Sequence, residues 1–127
     1  MEETKKQGWL AGLALNVYTP VGSIDEPSWQ MMDILQLIGM NSVGFQNQEF
    51  NPLVLNKIKE IKIKADQLKN NQYLSVTEQE LEIFVDGGIK LDNAHQILSA
   101  GATGLAVGSL LWQASNISDT IQQLSQL

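Results

Sequence analysis

Short apolar runs alternate with longer stretches striped by polar residues along the whole chain. The run Ile83-Phe84-Val85 shows no polar alternation. It predicts a strand buried on both faces, as in parallel sheets covered by helices, and it stops abruptly at Asp86-Gly87-Gly88-Ile89. Trp9 to Leu15 reads as another buried strand, closed by Asn16 and then Thr19-Pro20. Ile34 to Gly39 is a third, and Leu105-Ala106-Val107, ending at Gly108-Ser109, is a fourth.

Between these runs the periodicity is helical. Val54, Ile58, Ile61, Ala65 and Leu68 recur at spacings of three and four, which predicts the longest helix, with Asn51 and Pro52 as N-cap and first-turn pair. Pro27 suits the start of a short helix over Ser28 to Asp33, after a loop from Val21 to Glu26. Leu91 to Ala100 forms another, with Asp92 in its first turn and Gly101 ending it. A last amphipathic helix runs from about Ile117 to Leu124, capped by Ser115 or Asn116. Met1 to Gln7 reads as the last turns of a helix that Gly8 terminates, which points to a preceding segment. Asn70 to Glu80 is a polar connection with a helical turn at Thr77 to Glu80. The order β-α-β-α-β-α-β-α, with long crossovers, predicts four βα units, an α/β fold and a parallel sheet.

Composition narrows the class. The chain has 127 residues, 43% of them hydrophobic and 17% charged, and reads as a single globular domain over 1–127. Its net charge of −6 and its eight basic residues, all lysine, argue against nucleic acid as a partner. Without arginine there is no bidentate clamp for a phosphate, so backbone and hydroxyl groups must hold one. The absence of cysteine removes disulfides and thiolate metal sites, and no apolar run is long enough to span a membrane. A cytoplasmic location is expected.

Candidate chemistry gathers at strand ends. Asp86 closes a strand where α/β folds place their reactive groups, and Gly87 and Gly88 bare backbone N–H groups that an anion can approach. The same Asp-Gly-Gly also makes an ordinary turn. Trp9, Trp29 and Trp112 read as core or interface residues, Met31 and Met32 as helix packing, and His95 as a structural or solvent-facing helix residue.

Taken in order, Gly12-Leu13-Ala14-Leu15-Asn16-x-x-Thr19-Pro20, Gly44-Phe45-x-x-Gln48-x-Phe50, Val85-Asp86-Gly87-Gly88-Ile89, Ala100-Gly101-Ala102 and Val107-Gly108-Ser109 resemble the ribulose-phosphate 3-epimerase family. The resemblance covers essentially the whole chain, but only the second half of the family's (β/α)8 TIM barrel, strands five to eight. It implies inversion at C3 of a ketopentose or ketohexose phosphate, of the ribulose 5-phosphate/xylulose 5-phosphate or allulose 6-phosphate type. One carboxylate removes a proton, a second returns one on the opposite face, and a divalent metal stabilises the enediolate. The metal is expected to be zinc, with iron, manganese or cobalt as alternatives. Asp86 matches the acid/base that also ligates the metal. Gly87, Gly88, Gly108 and Ser109 match the phosphate-gripping loops, and Gly44 and Phe45 match the start of the loop that closes over a phosphorylated ketose.

Departures accompany the match. Gln46 and Asn47 replace two loop glycines, and Gly39 stands where the family carries a methionine facing the site. The other metal ligands come from strands that this chain does not contain, so the chain alone is expected to bind no metal and to be inactive. The alternative is a non-catalytic or degenerate phosphate-binding half barrel. Open sheet edges predict a homo-oligomer, two halves completing a barrel-like dimer.

Overall fold

A computed structural model describes residues 1–41, 48–70 and 80–127. The elements are α1 (Glu2–Lys6), β1 (Gly12–Leu15), a 3-10 turn (Val21–Ser23), α2 (Glu26–Met31), β2 (Ile34–Ile38), α3 (Leu53–Asn70), β3 (Glu82–Asp86), α4 (Leu91–Ser99), β4 (Gly104–Ala106), α5 (Ser109–Trp112) and α6 (Ile117–Ser125). The strands form one four-stranded sheet in the order β1-β2-β3-β4, every pair parallel. This is the predicted α/β fold of four successive βα units. The expected helical turn at Thr77 to Glu80 lies largely outside the described residues.

Register sorts the strand side chains onto two faces. Leu13, Leu35, Ile83 and Leu15, Leu37, Val85 form cross-strand rows that face the helices. Leu35, Leu37 and Val85 are completely buried there, together with Val54, Ile58 and Ile61 of α3 and Ile97 of α4. The three-and-four spacing of α3 is thus the contact stripe that covers the sheet. The opposite face carries Ala14, Gln36 and Phe84 in one row and Ile38, Asp86 and Ala106 in the next. Its residues are half-buried or exposed.

That open face corrects the expectation for β3. Its burial alternates, with Ile83 and Val85 inside and Glu82, Phe84 and Asp86 half-buried, because the helices of the described residues cover only one side of the sheet. β1 is also shorter than predicted. Trp9 and Leu10 are 67% and 54% exposed, and regular pairing starts at Gly12. As the first strand at a sheet edge, β1 has a neighbour on one side only among the described residues. Of the three tryptophans, Trp29 lies in the core while Trp9 and Trp112 are exposed.

The ends of the elements have specific fastenings. Asp33 is buried just before β2, where it accepts the Ala11 amide at 2.7 Å and pairs with the Lys5 ammonium. It ties α1 and the entry to β1 to the start of β2. The predicted α2 helix ended at Asp33, but helix geometry stops at Met31 because Asp33 is drawn into this pair. At the other end, the Asp25 carboxylate caps α2 by accepting the Ser28 amide at 2.7 Å. Hydrogen bonding from Ser28, side chain first and then backbone, holds this carboxyl below its ordinary 3.8. α5 had no counterpart in the sequence reading, since four residues are too few to show a period.

Truncating Ile58 to Ala, at a completely buried position, should cost about 2–5 kcal/mol in urea unfolding. A lowered folded-state value means that the Asp25 cap contributes fully above pH 3.8 and fades as pH falls through the folded value. The stability gap between wild type and Asp25→Ala should therefore narrow in acid unfolding series below pH 3.8.

Candidate functional site

Because all four strands run parallel, their carboxyl ends share one edge. Asn16 follows β1, Gly39 follows β2, Asp86 ends β3, and Gly108 lies two residues beyond β4. Asp86 is half-buried on the open face, in register with Ile38 and Ala106. One of its carboxylate oxygens, Oδ2, accepts a hydrogen bond from Gln36 Nε2 at 3.0 Å. Sequence reasoning missed Gln36, although its position between Leu35 and Leu37 in an alternating strand was the available signal.

The main chain around Asp86 is tightly bracketed. The Gly39 amide donates to the Asp86 carbonyl at 2.6 Å, and the Asn51 amide donates to the Gly39 carbonyl at 2.8 Å. A Cβ on Gly39 would sit 2.5 Å from the Gly87 carbonyl oxygen. Residue 39 therefore has no room for a side chain, and Ile38 is the apolar residue beside Asp86 on the open face.

Gly87 and Gly88 have φ of +104° and +70°, left-handed values that side-chain-bearing residues rarely adopt. A Cβ on Gly88 would lie 2.5 Å from the Phe50 amide nitrogen, so this turn fits against the Glu49–Phe50 backbone. The Gly88 carbonyl accepts Asn93 Nδ2 at 2.9 Å, which fastens the turn to α4. Gly108 leads into α5. Its carbonyl accepts the Leu111 and Trp112 amides at 3.0 and 3.2 Å, and the space where its Cβ would be is open. Ser109 opens that turn of helix and is half-buried. Gly44 and Phe45 lie outside the described residues.

A lysine fixes the loop after β1. Lys57 of α3 donates to the carbonyls of Asn16, Val17 and Thr19 at 2.8, 2.6 and 2.5 Å. Burial pushes its ammonium below the ordinary lysine value, a shift that the Glu60 charge opposes. From the same loop, the Tyr18 hydroxyl donates to Asn41 Oδ1 at 3.1 Å, and Asn51 Nδ2 donates to that same oxygen at 2.6 Å. The loops after β1 and β2 are thereby joined to the start of α3, where Asn51 Oδ1 accepts the Leu53 amide as predicted for a cap.

At the strand ends the described residues offer the Asp86 carboxylate, the Gln36 side-chain amide and glycine-lined backbone beside the open face. Among the described residues, no three His, Cys, Asp or Glu side chains come together to hold a metal. His95 is exposed on α4, with Nδ1 3.4 Å from Ser99 Oγ, so it is the solvent-facing residue expected of it. Among the described residues no helix is long and apolar enough to cross a membrane.

The family model described as "Ribulose-phosphate 3 epimerase family" matches residues 1–112. The chain is 33% identical over 120 residues to ribulose-phosphate 3-epimerase of Buchnera aphidicola subsp. Acyrthosiphon pisum, an alignment covering 94% of the chain and 48% of that protein. Against the Bacillus subtilis enzyme of the same name it is 36% identical over 120 residues, covering 94% and 51%. Against the Escherichia coli K12 enzyme it is 30% identical over 122 residues, covering 94% and 48%. The chain spans about half the length of the curated relatives it matches.

Lys57→Met should cost about 1–3 kcal/mol in urea unfolding, because three carbonyls lose a charged donor. It should also speed amide exchange through the loop from Asn16 to Thr19. Gly88→Ala combines left-handed backbone with a clash and should lose about 1–3 kcal/mol, read as a lowered unfolding midpoint.

Proposed function

The chain belongs to the ribulose-phosphate 3-epimerase family, and we propose that it supplies one of the two carboxylates and the phosphate grip of a sugar-phosphate 3-epimerase site. The observation that carries this reading is Asp86 at the end of β3, held on the open face directly before the Gly87-Gly88 turn. In this reading, residues 1–127 are a single domain corresponding to the second half of a (β/α)8 barrel.

The chemistry assigned to Asp86 is proton transfer at C3 of a phosphorylated ketose such as ribulose 5-phosphate. The carboxylate takes the C3 proton, the C–H electron pair moves toward the carbonyl carbon, and the carbonyl oxygen takes the charge of an enediolate. Return of a proton to the opposite face of C3 gives the epimer. That proton must come from a second acid facing Asp86, which lies beyond this sheet face. Amides of Gly87, Gly88 and Gly108, with the Ser109 hydroxyl, hold the phosphate in place of the missing arginine, and Gly44 and Phe45 are assigned to the same phosphate site. A divalent metal, zinc first among the candidates, would find one ligand here, Asp86. Its remaining ligands belong to whatever covers the open face.

That covering element is a further set of βα units. Among the described residues both outer strands, β1 and β4, keep a free edge in this sheet, and Trp9, Leu10, Trp112, Ile117 and Ile121 are exposed apolar residues of the flanking segments. The chain on its own should satisfy these edges by self-association. Sedimentation equilibrium should find a dimer or higher species, and a lasting monomer at tens of micromolar would contradict it.

That no three His, Cys, Asp or Glu side chains gather among the described residues also supports a second reading, a half barrel that binds a sugar phosphate without turning it over. Co-purification with the half of the Bacillus subtilis relative that this chain does not match separates the two. The expected result is conversion of ribulose 5-phosphate to xylulose 5-phosphate with solvent deuterium entering at C3, reduced about 10²–10⁴-fold by Asp86→Asn. A well-formed complex that binds ribulose 5-phosphate but shows no turnover, or turnover indifferent to Asp86→Asn, would overturn the epimerase reading.

A further inference from the structure

Gln36 is a polar side chain in the middle of an otherwise apolar strand, Ile34-Leu35-Gln36-Leu37-Ile38. Its neighbours Leu35 and Leu37 are completely buried against the helices, so strand alternation places Gln36 on the open face with Asp86. Nothing in packing asks for an amide here, since Ile34 and Ile38 occupy the same face. The lateral neighbours in its row are Ala14 on β1 and Phe84 on β3. Phe84 is engaged with β4: a Cβ on Gly104 would come within 2.5 Å of its ring. With a small residue on one side and a committed ring on the other, the Gln36 side chain extends along the face to Asp86.

The contact is specific to one oxygen. Gln36 Nε2 donates to Asp86 Oδ2 at 3.0 Å, and among the described residues Oδ1 has no hydrogen-bond partner. An ionised carboxylate only accepts, so the amide must turn its NH₂ group toward it. At 3.0 Å this hydrogen bond is of ordinary length, and it restricts rotation of the carboxylate.

We infer that Gln36 is a positioning residue for Asp86, holding Oδ2 so that Oδ1 is the oxygen that exchanges a proton with the substrate. The inference rests on the reading of Asp86 as the epimerase acid/base. Gln36 also keeps its own carbonyl, Oε1, on the same face, where it can accept from a sugar hydroxyl. Removing the amide leaves the carboxylate in place but free to rotate, so the loss falls on turnover more than on substrate binding.

Two measurements test this, one of which is independent of activity. In the chain alone, the Gln36 side-chain amide signals in ¹⁵N-resolved NMR should show one proton shifted downfield and slowed in exchange. Asp86→Ala should return it to the position of a free glutamine. A signal that ignores Asp86→Ala overturns the pairing. In the complemented protein described above, Gln36→Leu and Gln36→Ala should each lower kcat about 10–100-fold while KM stays within about twofold. The unfolding midpoint of each variant, compared with wild type, excludes simple loss of folding. Unchanged kcat in either folded variant overturns the positioning role. If the wild-type complex shows no turnover while the amide signature persists, the epimerase reading fails, and the contact is reduced to a structural hydrogen bond.

Discussion

The parallel pairing of β2 with β3 is the constraint on which the rest of this structure depends. Register sets Leu35 beside Ile83 and Leu37 beside Val85, and these side chains form the dry interior against α3 and α4. The same register sets Gln36 beside Phe84 and Ile38 beside Asp86 on the opposite face. A slip of one residue would exchange the faces, putting Asp86 among aliphatic side chains and exposing the core. Burial and chemistry are thus fixed by one alignment. The hydrophobic contacts supply most of its strength, because each buried Leu, Ile or Val is worth about 1.5–3 kcal/mol.

Close backbone approach turns that alignment into a defined edge. Gly39, Asp86 and Asn51 are linked by main-chain hydrogen bonds, and Gly88 lies too near the Glu49–Phe50 backbone to carry a side chain. Gly88 therefore has a packing role in addition to the conformational freedom its turn needs. On the β1 side the edge is held by a charged side chain. Lys57 gathers three carbonyls of the loop, and Tyr18 and Asn51 both donate to Asn41. The two sides differ in kind. One is a contact of backbones without side chains, the other a polar knot that a single substitution can loosen.

The uncovered face sets the character of the molecule. A four-stranded sheet with helices on one side leaves Ala14, Gln36, Phe84, Asp86 and Ala106 accessible, and these are the residues a barrel would turn inward. Among the described residues, the Asp86 carboxylate on this face accepts one hydrogen bond, from Gln36. The same openness explains why exposed aromatic and aliphatic side chains flank both outer strands. It also agrees with an alignment that spans about half of each relative.

The sequence by itself determined the four βα units, the parallel sheet, the contact stripe of α3 and the acid and glycines at the strand ends. Those features are local, since a period of three to four, a short β-branched run and a proline or glycine at a boundary act within a few residues. The ordered motifs around Asn16, Asp86 and Gly108 also placed the chain in its family. Tertiary structure alone decided which face of each strand is covered, because an unbroken apolar run such as Ile83-Phe84-Val85 carries no sign of how many layers surround it. It decided that Trp9 and Leu10 precede the regular strand, that Asp33 is a buried tie to Lys5 and Ala11, and that Ile38 stands beside Asp86. The pairing of Gln36 with Asp86 spans fifty residues of sequence. Only the register of two neighbouring strands brings those side chains within a hydrogen bond of each other.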